Sequence, residues 1–185
     1  MTELASKGQL RATFLRVALV MVPGTLLLGF LSGAMAGSTA DNAWFQELVK
    51  PSLYPPPATF GIVWSILYVM MGLAATIVLT AFGARWRGPA MIAFAVQFVL
   101  NLGWSPLFFA AHRITWSLGL LVAIDVAVLV TLVLFFRVRR TAGLLLVPYL
   151  AWVLFATVLN WQFLEANPDA DGQFIEAKPV TRIAI

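Results

Sequence analysis

The run from Ala58 to Gly83, ATFGIVWSILYVMMGLAATIVLTAFG, carries no charge from end to end, and the stretch that leads into it, Trp44 to Pro57, WFQELVKPSLYPPP, is neither apolar nor a plain turn. A helix crosses the hydrocarbon core of a bilayer with roughly 20 apolar residues, so the first run reads as a membrane span. The second holds a lysine, a glutamate, aromatic residues and Pro51, Pro55, Pro56 and Pro57 where a short polar turn would suffice. Its role follows from what surrounds it.

Of the 185 residues, 61% are hydrophobic and 11% charged, with a mean hydropathy of +0.91; soluble chains carry about a quarter charged residues. This is the composition of an integral membrane protein. The net charge of +4 does not point to nucleic acid, because the arginines sit at the ends of apolar runs, where membrane topology explains them. There is no cysteine, which removes disulfides and thiolate metal sites. A single histidine, His112, leaves no bis-histidine haem ligation within one chain and no usual zinc site. No metal and no obligate cofactor are expected.

Five spans are read from the sequence: Val17 to Gly37, Ala58 to Gly83, Pro89 to Ala111, Ile114 to Phe136, and Thr141 to Phe163. A basic segment, 1–16, precedes them and a polar tail, 165–185, expected to be disordered, follows. The fold class is an all-α five-helix membrane bundle, with short connections making successive helices antiparallel neighbours. Lys7, Arg11, Arg16, Arg85, Arg87, Arg137, Arg139 and Arg140 fall on one side, Lys50, Arg113, Lys178 and Arg182 on the other. The basic side is expected to be cytoplasmic, which puts the amino terminus inside and the proline-rich first loop outside. The first run also has the outline of a signal peptide ending at Ala34-Met35-Ala36, but Gly29, Gly33 and Gly37 form two GxxxG steps suited to close helix packing, a feature that a discarded peptide does not need.

Trp86, Trp116 and Trp161 lie near span ends, as interfacial anchors do. Trp64, Trp104 and Trp152 lie deeper, roughly 9 to 17 Å inside their helix ends at 1.5 Å per residue. Each shares a helix face with other aromatic or amide residues: Trp64 with Tyr68; Trp104 with Asn101, Ser105 and Phe108; Trp152 with Tyr149, Ala156 and Asn160, with Phe155 alongside. Amides in hydrocarbon need partners, so Asn101 and Asn160 are expected to face the bundle interior. Aromatic faces with a few amides, gathered in one leaflet, match the composition of a small-molecule pocket. The stiff loop above it reads as a lid, with Trp44 and Tyr54 packing downward and Lys50 and Arg113 at the mouth. Pro23, Pro106 and Pro148 are expected to loosen their spans. Asp125, the one charge within the spans, has no second acid or base beside it in the sequence, and no catalytic residue is assigned.

Trp44-Phe45, Lys50-Pro51, Pro55-Pro56, Phe60 to Trp64, Leu67-Tyr68, Asn101-Leu-Gly-Trp-Ser-Pro-Leu-Phe-Phe109, Pro148-Tyr149-Leu-Ala-Trp152 and Leu159-Asn160, in this order, resemble the translocator protein family, also called tryptophan-rich sensory proteins or peripheral-type benzodiazepine receptors. The resemblance runs from the first loop through the fifth span. It implies a bacterial inner-membrane protein, a homodimer of five-helix bundles, that binds tetrapyrroles such as protoporphyrin IX, sterols and synthetic ligands under the first loop. Carried across, the family's pocket falls on Trp44, Phe45, Pro55, Trp64, Tyr68, Asn101, Trp104, Ser105, Trp152, Phe155 and Ala156. The segment that animal members link to cholesterol through an arginine has Glu165 here, a departure from the family's sterol motif; sterol-like and synthetic hydrophobic ligands stay beside tetrapyrroles among those that the resemblance implies. The expected function is a tetrapyrrole-binding membrane sensor; the alternatives are a transporter of porphyrin-like molecules and a light-driven porphyrin-degrading catalyst with a tryptophan as electron donor.

Overall fold

A computed structural model describes residues 6–39 and 41–172. Five long helices, α1 (Lys7–Met35), α3 (Pro57–Leu79), α4 (Arg87–Ser105), α5 (Ile114–Val138) and α6 (Arg140–Ala166), are joined by short turns except between α1 and α3, where a short helix, α2 (Ala43–Glu47), is inserted. All five are long and apolar enough to span a bilayer. Among the described residues there is no strand. The helices form a ring in which α1 packs on α3, α3 on α6, α6 on α5 and α5 on α4, with α4 closing onto α1 and α3.

Several helix boundaries differ from the sequence reading; α3, for one, ends at Leu79 and not at Gly83. Residues 7–16 of the amino-terminal segment are continuous with the first span: α1 begins at Lys7, because Ser6 and Gln9 form a reciprocal capping box, with Ser6 N donating to Gln9 Oε1 (2.7 Å) and Gln9 N to Ser6 Oγ (3.2 Å). A capped turn of straight-chain residues extends the helix beyond the apolar run. The polar tail is also ordered where it begins. α6 continues to Ala166, and residues 167–172 pack back onto the bundle; the part of the disorder expectation that falls on 173–185, with Lys178 and Arg182, lies outside the described residues.

The prolines act in two ways. Pro23 and Pro148 sit inside continuous helices. At Pro106, α4 gives way to one π-helical turn, Pro106–Ala110, closed by Ala111 N donating to Pro106 O (2.9 Å). A proline ring cannot accept the ordinary helix crowding and offers no N–H, so the turn widens. That widening sets Phe108 and Phe109 under the first loop. Pro57, by contrast, takes the first turn of α3, where its fixed φ suits a helix start.

Glycines bring α1 against α3. A Cβ on Gly72 would come within 2.7 Å of Val22 Cα and 2.9 Å of Thr25 Oγ1, and Thr25 Oγ1 sits 2.9 Å from Tyr68 O as its donor. A Cβ on Gly29 would collide with the Tyr68 ring. The first GxxxG position is therefore used inside the chain, and it fixes the tyrosine that helps to form the floor of the candidate site.

Candidate functional site

The lid is built from its own sequence. Asn42 caps α2 by accepting from Phe45 N (2.9 Å) and ties back to α1 by donating from Nδ2 to Gly37 O (3.1 Å). The helical turn then aims Trp44, Phe45 and Leu48 into the protein, where each is buried. The chain beyond Leu48 makes one turn over 51–54, closed by Tyr54 N donating to Pro51 O (3.0 Å), before Pro57 opens α3.

Below the lid is an upper tier of rings. Phe45 packs against Phe109 (5.3 Å between centroids), Phe163 (5.6 Å) and Tyr54 (5.8 Å). Trp44 meets Phe108 edge-on at 5.4 Å and stacks on His112 at 4.5 Å. Tyr54 stacks on Phe60 (5.5 Å), which meets Trp152 (5.9 Å), itself in contact with Phe155 (5.2 Å). Such pairs contribute about 0.5 to 1.5 kcal/mol each beyond burial, so the lid is held mainly by aromatic packing.

The floor is polar and lies in the span interior. Trp64 stacks on Tyr68 at 5.1 Å and meets Tyr149 at 6.2 Å. Tyr68 Oη donates to Asn101 Oδ1 (3.2 Å), and Tyr149 Oη donates to Gln97 Oε1 (2.9 Å). Gln97 and Asn101 are one helical turn apart, so α4 presents two amides in a line, each meeting a tyrosine. Asn160 turns away from this floor and donates to Ile114 O (3.1 Å) at the start of α5. Its role is to join α6 to α5.

Trp104 connects the tiers. Its ring stacks on Phe108 (5.1 Å) and packs against both the membrane core and the lid cluster, yet its indole Nε1 is buried with no acceptor among the described residues. Trp44 Nε1 is in the same condition. Indole N–H groups usually find a partner when buried.

The sequence-expected residues fall into three groups. Trp44, Phe45, Tyr54 and Trp104 meet in the upper tier; Trp64, Tyr68 and Asn101 form the floor; Trp152 and Phe155 form the α6 wall, with Ala156 packed against the membrane core. Pro55 and Ser105 are half-buried, on the lid and at the end of α4. The two mouth cations are placed differently from expectation. The Lys50 ammonium donates to Leu48 O (2.8 Å), Gln46 O (3.4 Å) and Phe45 O and lies over the Phe45 ring. It closes the carboxyl end of α2, whose last carbonyls lack partners within the helix, and burial lowers its pKa from the ordinary lysine value. Arg113 is exposed and lies beside Gly172 at the α4–α5 turn.

Several residues of the site were not singled out from sequence. Gln97 could have been found by its four-residue spacing from Asn101; Phe60 and Phe163 are ordinary aromatic positions until the fold brings them together. Between α3 and α6 lies an apolar cavity of about 360 Å³ bounded by Val63, Ile66, Leu67, Met70, Pro148, Ala151 and Trp152. Trp152 separates it from the lid aromatics.

A ring of five membrane-crossing helices, with an aromatic and amide interior closed by an ordered first loop, defines an integral multi-pass membrane protein. Residues 20–165 match the TspO/MBR family, and the chain belongs to that family. Its relatives include the tryptophan-rich protein TspO of Chlorobaculum tepidum, 41% identical over 75% of this chain and 90% of the relative, and the tryptophan-rich sensory protein of Cereibacter sphaeroides, 34% identical over 77% and 91%. The human translocator protein is 36% identical over 64% of this chain and 71% of its own length.

Proposed function

We propose that the chain is a membrane sensor that binds a tetrapyrrole of the protoporphyrin type between the lid and the Trp64, Tyr68 and Asn101 floor. The observation that carries this reading is Trp104, a partly buried ring shared by both tiers whose buried N–H meets no acceptor among the described residues. A flat, largely apolar ligand with a polar rim satisfies both needs, offering its face to the indoles and an acceptor to the free N–H. Rings now packed under the lid have to part for such a ligand, so binding is coupled to lid opening. Lys50 and Arg113 are not its anchors in the closed form. The resemblance that suggests a tetrapyrrole also suggests a homodimer; since Gly29 is used against Tyr68, a dimer contact on α1 would use another face. The test is to purify the protein in mild detergent and identify retained molecules by mass spectrometry, then titrate the stripped protein with protoporphyrin IX. A retained tetrapyrrole, with saturable quenching of tryptophan fluorescence, supports the reading; saturation by no porphyrin sinks it.

A further inference from the structure

We propose that Asn167 is a positioning residue for this site: its side-chain amide fastens the lid to the end of α6 and sets how often the lid opens. The part that concerns ligand rates rests on the reading above; the part that concerns the lid does not.

Where α2 ends, the lid exposes one peptide unit whose side chain, Val49, points to solvent at 61% exposure. Both backbone groups of that residue are nevertheless taken. Val49 N donates to Asn167 Oδ1 (2.7 Å), and Asn167 Nδ2 donates to Val49 O (3.0 Å). This reciprocal pair copies the exchange between two strands of an antiparallel ladder, with a side-chain amide in place of one strand. The second proton on Nδ2 goes to Phe163 O (2.9 Å), a carbonyl left over at the end of α6. Asn167 is itself 8% exposed; its bond to Phe163 O is buried and the two to Val49 are partly so.

Residue chemistry makes the position selective. Asparagine offers an acceptor oxygen and two donor protons in one plane, and all three functions are in use. Aspartate keeps only the acceptor. One turn back on α6, the ring of Phe163 grips Phe45 and Tyr54, so one edge of the helix holds the lid by an amide and a ring together. The segment after Asn167 continues across the roof: Gly172 N donates to His112 O (2.7 Å), and Thr115 N approaches Asp171 Oδ1 (3.4 Å). Residues 167–172 thus strap the lid and the α4–α5 turn to α6.

None of these bonds is made to the aromatic rings that would receive a ligand. Loss of the latch therefore lowers the barrier to opening from the free and the occupied form alike. Both association and release should rise together, with little change in affinity; a residue that touches ligand changes mainly the release rate.

The experiment uses the full chain in lipid nanodiscs. Hydrogen exchange without ligand should rise about tenfold in the segment around Val49 for Asn167→Ala, the factor expected for about 1.4 kcal/mol of lost hydrogen bonding, and Asn167→Asp should fall between it and the parent. Stopped-flow mixing with protoporphyrin IX should then show association and release accelerated to a similar degree in Asn167→Ala, with Kd within about twofold. Unchanged exchange around Val49 in both variants overturns the latch. Faster release with unchanged association overturns its action as a gate and makes Asn167 a ligand contact. If Asn167→Ala fails to fold, Asn167→Asp carries both measurements. If the parent binds no porphyrin, the tetrapyrrole reading fails, while exchange still decides the latch.

Discussion

Replacing Gly72 by alanine tests how the bundle holds the floor of the site. The new Cβ would lie 2.7 Å from Val22 Cα, 2.9 Å from Thr25 Oγ1 and 3.0 Å from Met21 O. Two of these atoms are α1 backbone and cannot swing aside, so α1 has to move off α3. That stretches the bond from Thr25 Oγ1 to Tyr68 O (2.9 Å). Overpacking costs about 1 to 3 kcal/mol and the strained hydrogen bond about 1 kcal/mol, against a gain of about 1 kcal/mol from replacing a helical glycine. The net expectation is a loss of about 1 to 3 kcal/mol. Gly61 is the control, being on the same helix with no atom within 4 Å of its added Cβ. Gly61→Ala should be neutral or stabilising by up to about 1 kcal/mol. Unfolding in mixed micelles, followed by circular dichroism, measures both. Equal stability of the two variants would refute the close approach of α1 and α3 on which the position of Tyr68 depends.

Tyr68→Phe leaves Asn101 Oδ1 without its donor and should cost about 1 to 3 kcal/mol of stability in the same assay, while adding Asn101→Leu should recover most of it, because both partners are then apolar. Asp125 accepts from Thr157 Oγ1 (2.8 Å) and has a second, buried oxygen with no donor among the described residues, so Asp125→Asn, which removes a carboxyl from hydrocarbon depth, should unfold no more easily than the parent; a clear loss of stability would show that the carboxyl has a further partner. As the chain has no cysteine, single cysteines at Arg139 and Asp169 report orientation: an impermeant maleimide on intact cells should label only Asp169→Cys, and the reverse pattern would place the lid in the cytoplasm. Illumination of a porphyrin complex should bleach the pigment at the rate seen in detergent alone; a discrete product requiring Trp64 or Trp152 would make the chain a photochemical catalyst.

The number of spans was legible because hydrocarbon penalises charge so strongly that only Asp125 interrupts the five runs. Helix ends were less so. The capping box at Ser6 and Gln9 is a local hydrogen-bond device within a basic segment, and hydropathy places the boundary where the apolar run starts instead. The grouping of Trp64 with Tyr68 and of Asn101 with Trp104 followed from helical spacing alone. What spacing cannot show is which faces meet: Gln97 shares a face with Asn101, but that this amide meets Tyr149 at 2.9 Å is visible only in the fold. Lys50 is expected at the mouth because its sequence neighbours form the lid; which carbonyls take its protons, those of Phe45, Gln46 and Leu48 at the end of α2, is set by the fold. Asn167 lay in a stretch whose composition suits a disordered tail, and its partner Val49 is 118 residues away. Long-range pairing of this kind leaves no trace in local composition.

The affinity for protoporphyrin IX of a set of tryptophan variants decides whether the ligand lies between the lid and the floor. Trp104→Phe keeps a smaller ring between the two tiers and removes the N–H along with part of the stacking face, so binding should weaken by about 1 kcal/mol or more if that indole meets the ligand; Trp64→Ala, which removes a floor ring, should weaken it further. Trp116→Ala and Trp161→Ala, at exposed positions, should match the parent. Equal affinity across all four variants, or losses confined to Trp116 and Trp161, would place the ligand outside the lid and contradict the account.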